Sequence, residues 1–318
     1  MTSVATTRWR GQATEMATVA QAHPAVVSPR AATRRSWHDA IYVAPYLFFF
    51  VTLIVVPLLW GMWLSLHKAD FFGERSFVGI ENFARLFNDG FFLRTVWNTF
   101  YFIFLTVPAL AVIGLGLAMA LNQPGRTAAV LRGVFFSSSV LSVTIVTLLW
   151  RVIFLADGGF IATVMEGFGQ PPVGFLSSEH LALPAIAVTT IWWCLGLPMM
   201  LFLAALQQVP RSLYEAAALD NAGRWTTLRK ITLPSIRRTF ALVIIIEIVL
   251  QFQLFGQAQL MTLGGPNNAS RPVVLFIYEV GFNRWDIGYA AAASQILFSL
   301  ILMAAMAQYF LSRRRDDR

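Results

Sequence analysis

The sequence contains one cysteine, Cys194, and only four histidines in 318 residues. A single thiol cannot form a disulfide within the chain, and there is no Cys-x-x-Cys pair to hold zinc or exchange electrons. Cys194 lies inside an apolar run, where a free thiol behaves as a small buried apolar side chain. His23, His38, His67 and His180 are scattered and lack the spacing of a metal motif. Charge is scarce too, at 13% of residues, and no Gly-x-x-x-x-Gly-Lys-Ser/Thr loop is present to cradle a nucleotide triphosphate. No Ser/His/Asp or paired-carboxylate constellation appears within the apolar runs. The chain therefore reads as a non-enzyme with no cofactor or metal of its own.

Apolar side chains are abundant. Hydrophobic residues make up 57% of the chain, with 27 Phe and 10 Trp, which is too apolar for a soluble domain of this length. Runs near 41–66, 95–121, 131–154, 182–207, 237–260 and 287–311 approach or exceed the roughly 20 helical residues needed to cross a bilayer. The expected fold is an all-α integral membrane protein with six transmembrane helices.

An even number of crossings puts both termini on one side. The basic residues choose that side: Arg30, Arg34, Arg35, Arg126, Arg132, Arg211, Arg224, Arg229, Lys230, Arg237, Arg238 and Arg313 to Arg315 fall in segments on one face, and the 155–181 loop opposite has no Lys or Arg. By the positive-inside rule the termini and the 208–236 loop are cytoplasmic, and the net charge of +8 reports topology, not affinity for nucleic acid. Residues 1–40 have no membrane-length run and read as a disordered cytoplasmic extension ahead of a 41–318 membrane domain.

Inside the apolar runs, Leu195-Gly196-Leu197-Pro198 predicts a kink, because proline removes a backbone donor and clashes one turn back. Arg151 is expected to snorkel to the surface or to pair with Asp157. Glu247 requires an explanation, since a charge in mid-membrane costs about 2.5–3.5 kcal/mol on insertion scales. Gln251 follows one turn later on the same face, with Gln253, Gln257 and Gln259 beyond and Phe252 and Phe255 alongside. Such a stripe suits either a polyhydroxylated ligand or bonding to another membrane helix.

The 208–236 loop reads as helix, turn, helix. Glu215, Ala216 and Ala217 are good helix formers, and a break near Asn221 to Gly223 precedes Arg224, Arg229 and Lys230. Tyr214-Glu215-Ala216-Ala217 followed by Ile231-Thr232-Leu233-Pro234 resembles the EAA loop of the permease subunits of ATP-binding-cassette importers, with Asn221 where the motif has glycine. Asn is the non-Gly residue that best tolerates a left-handed backbone. Thr262-Leu263-Gly264-Gly265-Pro266, Val78-Gly79-Ile80-Glu81-Asn82-Phe83 and Trp97-Asn98-Thr99 resemble the carbohydrate permeases of the maltose and glycerol-phosphate transporter group. The likeness runs from about residue 41 to the C-terminus.

The resemblance implies a type I ABC importer permease fold in the bacterial inner membrane. It also implies a second homologous permease, two cytoplasmic ATPase subunits that bind ATP and Mg, and an extracytoplasmic sugar-binding protein. Tyr214, Glu215, Ala216, Ala217, Asp220, Asn221 and Gly223 would form the surface docked on the ATPase. Carrying the sugar site of maltose-type permeases across places it on Glu247, Gln251 and Leu254 and on Trp192, with Trp193, Cys194 and Leu197 nearby. Only the tryptophan keeps the family's residue type. The alternatives are the same machine with glycerol-phosphate-type cargo, an ion-coupled secondary transporter using Glu247, and an intramembrane enzyme.

Overall fold

The computed structural model describes residues 37–70, 73 and 75–314. The expectation for the N-terminal extension thus falls, for residues 1–36, outside the described residues. The chain divides into two compact units, one ending at Pro57 and one beginning at Leu58. In the first, helix α1 (Trp37–Phe50) leads into a π-helical turn, Val51–Val55. Its side chains from Tyr46 to Phe50 are exposed aromatics and leucine, as expected of a helix solvated by lipid.

The second unit starts in α2 (Val56–Ser65) and passes through a short antiparallel hairpin, β1 (His67–Ala69) and β2 (Arg75–Phe77), into α3 (Glu81–Asn88). Helix α3 is an amphipathic element ahead of the second apolar run. Its Leu86 is buried, and the Asn82 amide ties it to the hairpin by donating to the carbonyls of Ser65 and His67 at 2.9 and 3.0 Å.

The spine of this unit is α4 (Gly90–Leu121), 32 residues and therefore about 48 Å long. Asp89 caps it, its carboxylate accepting from the amides of Phe91 at 2.9 Å and Phe92 at 3.4 Å. Helices α5 (Arg126–Ser137) and α6 (Val143–Phe154), α7 (Phe160–Gly167), α8 (Ala182–Cys194) and α9 (Gly196–Gln207) follow, and α4 packs along α8, α9 and α13 (Arg237–Gln251). Gly114 permits this closeness on α9: a Cβ there would lie 3.1 Å from the Pro198 side chain. Between α9 and α13 come α10 (Arg211–Leu219), α11 (Arg224–Thr227), a π turn and α12 (Leu233–Ser235); after α13 come α14 (Gly256–Met261), α15 (Val273–Tyr278) and α16 (Ile287–Arg314).

Among the described residues, three helical stretches are long and apolar enough to cross a membrane alone: Tyr42–Ser65, Gly90–Leu121 and Ile287–Phe310. Two bent helix pairs are long and apolar enough only when each pair is taken together. The kink expected at Leu195–Pro198 is a 46° bend between α8 and α9. The run read as one span over 131–154 is bent by 100° between α5 and α6, at a 3-10 turn over Ser138–Val140. The remaining run, 237–260, is a 15-residue helix, α13, a break at Phe252 to Phe255, and the short α14.

Candidate functional site

The two bends meet. At the α5–α6 break, Ser139 Oγ donates to the Trp193 carbonyl at 3.0 Å, and the Trp193 indole donates back to the Leu141 carbonyl at 3.0 Å. Backbone carbonyls freed by each interruption are thus satisfied by the other helix pair, as broken helices in a membrane require. The contact depends on Gly196, where a Cβ would sit 2.6 Å from Ser139 Oγ and 2.9 Å from the Phe136 Cα.

Of the residues predicted to carry a ligand, Trp192 to Leu197 surround this junction. Trp192 is 39% exposed and set edge-on to Trp150, ring centroids 5.8 Å apart. Leu197 is exposed, and Cys194 is half-buried. On α13, Glu247 and Gln251 are buried, and Gln251 Nε2 donates to Glu247 Oε2 at 3.0 Å. Leu254 is packed in an apolar cluster with Phe102, Ile186 and Ala258. Gln257 reaches α8, its amide donating to Thr190 Oγ1 at 3.4 Å. The structure therefore packs α9, which follows the break, on α13, where the Gln251 amide bonds the Glu247 carboxylate within the helix.

Sequence reasoning overlooked two contributors. The polar triplet Ser137-Ser138-Ser139 was a legible signal within an apolar run, whereas Trp150, whose buried indole N–H has no partner among the described residues, carried none. Arg151 is exposed and forms no ion pair with Asp157 among the described residues; its guanidinium donates to the Leu260 carbonyl at 3.3 Å. The loop after α14 holds the Thr262 to Pro266 segment noted above for its family likeness, and long-range contacts fix it. Its Thr262 and Ser270 hydroxyls meet at 2.7 Å, and Asn98 of α4 donates to the carbonyls of Asn268 and Arg271 at 2.8 and 3.0 Å. Leu263, Gly264, Asn267 and Asn268 all take positive φ there.

At the other end of α4, the 208–236 segment forms the anticipated helix, turn, helix. Ala217 is buried and Tyr214 OH lies 3.4 Å from Thr232 Oγ1, while Glu215, Ala216, Asp220 and Gly223 are exposed. Asn221 is left-handed, φ 51°, as its place in the motif predicted. The Ala222 amide donates to the Ala217 carbonyl at 2.9 Å, closing the turn, and Gly223 in extended conformation starts α11.

An apolar helical chain with a broken-helix junction in its middle and a polar helix presented at one end has the architecture of a membrane permease component. Residues 78–317 match the model for the binding-protein-dependent transport system inner membrane component, and the chain belongs to that family. Relatives include the sulfoquinovosyl glycerol transport system permease protein SmoG of Agrobacterium fabrum, 30% identical over 76% of this chain and 78% of its own. The sn-glycerol-3-phosphate transport system permease protein UgpA of Shigella flexneri is 30% identical over 89% and 96%. The trehalose/maltose transport system permease protein MalF of Thermococcus litoralis is 27% identical over 87% and 94%. Among solved structures, a bacterial ABC transporter that imports the acidic polysaccharide alginate superposes with a TM-score of 0.77 at 22% identity, covering 88% of this chain and 96% of that one. The fold is that of a type I ABC importer permease.

Proposed function

We infer that this chain forms half of the translocation pathway of an ATP-driven importer whose cargo is a neutral sugar, sugar alcohol or short oligosaccharide. The observation that carries the reading is the pose of α10: Ala217 anchors the helix to the body, and Glu215 and Ala216 are presented outward behind a turn fixed by Asn221. A rigid helix held this way is a lever. Closure of an ATPase dimer, pressing on α10, reaches the bent pairs through the cluster that joins Tyr214 and Leu233 to Met199, Phe202 and Val243. ATP and Mg belong to two partner ATPase subunits, and a second permease and an external sugar-binding protein complete the assembly. Both termini and the α10 end of the molecule are assigned to the cytoplasm, from the basic residues clustered there.

The cargo site is assigned to Trp192, Trp193, Cys194 and Leu197 at the break, with Glu247, Gln251 and Leu254 on α13. Aromatic faces and amides are what a polyol needs, and opening toward the partner permease would expose the Glu247–Gln251 pair. A second reading, a glycerol-phosphate-type cargo, is favoured by the similarity to UgpA. Glu247, if ionised in the open cavity, weighs against it, because like charges repel far more strongly in a low-dielectric site than in water. Family membership leaves no support for the ion-coupled secondary transporter.

The test is uptake in proteoliposomes holding this chain with its partner permease, ATPases and binding protein, using maltose, trehalose and glycerol 3-phosphate. Accumulation of a neutral sugar that needs both ATP and the binding protein is expected. Accumulation that persists without ATP would sink the assignment, and preference for glycerol 3-phosphate would move it to the second reading.

A further inference from the structure

A cavity of about 590 Å³ opens at the end of α4 opposite to α10, lined by Arg94, Trp97, Tyr101, Glu179, His180 and Leu183, with Asn98, Pro184 and Ala269 completing its wall. Its volume falls within the range of small-molecule sites. None of these residues belongs to the cargo site assigned above. Leu183 precedes Trp192 on α8 by a distance along the helix of about 14 Å, at the usual rise per residue.

The lining is chemically specific. Arg94, Trp97 and Tyr101 recur at three- and four-residue spacing and share one face of α4. Trp97 and Tyr101 are exposed, 69% and 38%, although each presents a large flat apolar ring. Facing them is Glu179, whose carboxylate accepts from the Asn267 amide and lies 4.0 Å from Arg94 Nη2. That carboxylate is held in place and keeps lone pairs to spare. Arg94 donates only, Glu179 accepts only, and His180 can do either. The Asn98 amide is committed to the Asn268 and Arg271 carbonyls, so Asn98 is wall, not ligand.

We propose that this cavity is a second saccharide-binding subsite, nearer the external mouth than the site at Trp192. A sugar ring offers a C–H face to stack on Trp97 and Tyr101 and a rim of hydroxyls, each needing a donor and an acceptor, that Arg94, Glu179 and His180 supply. A phosphate ester or a phospholipid headgroup fits worse, because Glu179 would repel it. A plain acyl chain fits worse still, since Arg94 and Glu179 would be desolvated without compensation. The subsite rests on the importer reading for its orientation, with this end external, and would hold cargo between its arrival and its passage to the bent-helix junction.

The test uses the full chain in nanodiscs, labelled with 5-fluorotryptophan. The Trp97 fluorine signal is the one lost in Trp97→Phe, and the Trp192 signal the one lost in Trp192→Phe. Titration with maltose or trehalose is expected to shift the Trp97 signal saturably, and Tyr101→Ala or Glu179→Ala to weaken that response at least tenfold while the Trp192 signal of the sugar-free protein stays where it is in the wild type. If either variant displaces the Trp192 signal, His180→Ala, on an exposed loop residue, serves as the third and deciding variant. Failure of both sugars to shift Trp97 overturns the proposal. So does a response that survives in the variants, or one that follows the phosphatidylglycerol content of the nanodisc and ignores sugar. ATP-driven uptake in the reconstituted importer is scored separately: a silent cavity with intact uptake refutes only the subsite, and a responsive cavity without uptake refutes only the importer.

Discussion

Gln251 donates its side-chain amide to the Glu247 carboxylate at 3.0 Å across one turn of α13, and both side chains are buried. The pair makes a polar stripe more tolerable in a short membrane helix, because the carboxylate and the amide meet part of each other's hydrogen-bonding need.

Removing the acceptor is therefore expected to cost more than removing the charge. Glu247→Gln keeps an oxygen for Gln251, whereas Glu247→Leu strands a buried amide, at about 1–3 kcal/mol. Thermal unfolding in detergent should rank wild type and Glu247→Gln close together and Glu247→Leu clearly below. In uptake assays Glu247→Gln should raise transport of anionic relative to neutral cargo. Equal melting of the two variants would show that the hydrogen bond does not contribute.

Asn221 sits at φ 51°, a region open to glycine, tolerated by asparagine and poor for β-branched residues. Asn221→Gly should preserve ATP-dependent uptake, and Asn221→Val should impair it by straining the turn by about 1–3 kcal/mol. Matching activity of the two would show that α10 does not depend on this turn.

Both of those features were legible in the sequence for a simple reason: they are local. Glu247 and Gln251 are four apart, and the α10 turn is bounded by good helix formers and marked by Asn and Gly. What was not legible is long-range. The α5–α6 bend has no proline or glycine within its break, and its serines are held open by Trp193, more than fifty positions away. Likewise nothing near Asn98 announces that its amide clamps the loop around Asn268. The stripe on α13 was readable as a stripe; that its two best members bond each other and are buried depends on how α4, α9 and α16 pack on that helix.

Glu215 is exposed on α10 while Ala217, two positions on, is buried. Reversing the exposed charge should leave the fold untouched and disturb only the docked partner. Glu215→Lys is expected to melt like wild type yet lose most sugar-stimulated ATPase activity in the reconstituted complex. Normal stimulation would remove α10 from the coupling interface.

The junction of the two bends gives the sharpest test of the architecture. A methyl at Gly196 would meet Ser139 Oγ at 2.6 Å and the Phe136 backbone at 2.9 Å, and backbone does not yield as a side-chain tip does. Overpacking of this kind costs about 1–3 kcal/mol, so Gly196→Ala should lower the melting temperature and reduce uptake. Gly116→Ala is the control, because nothing lies within 4 Å of a Cβ there and alanine favours helix. Ser139→Ala alone removes a hydrogen bond to the Trp193 carbonyl, at about 0.5–1.5 kcal/mol. Combined with Gly196→Ala it also clears the nearer clash but leaves Phe136 in place. The double variant should therefore recover only part of the loss caused by Gly196→Ala. Full recovery would mean that the contact is made by side chains alone, and a Gly196→Ala protein as stable as Gly116→Ala would mean that the two bends do not pack in the membrane as they do here.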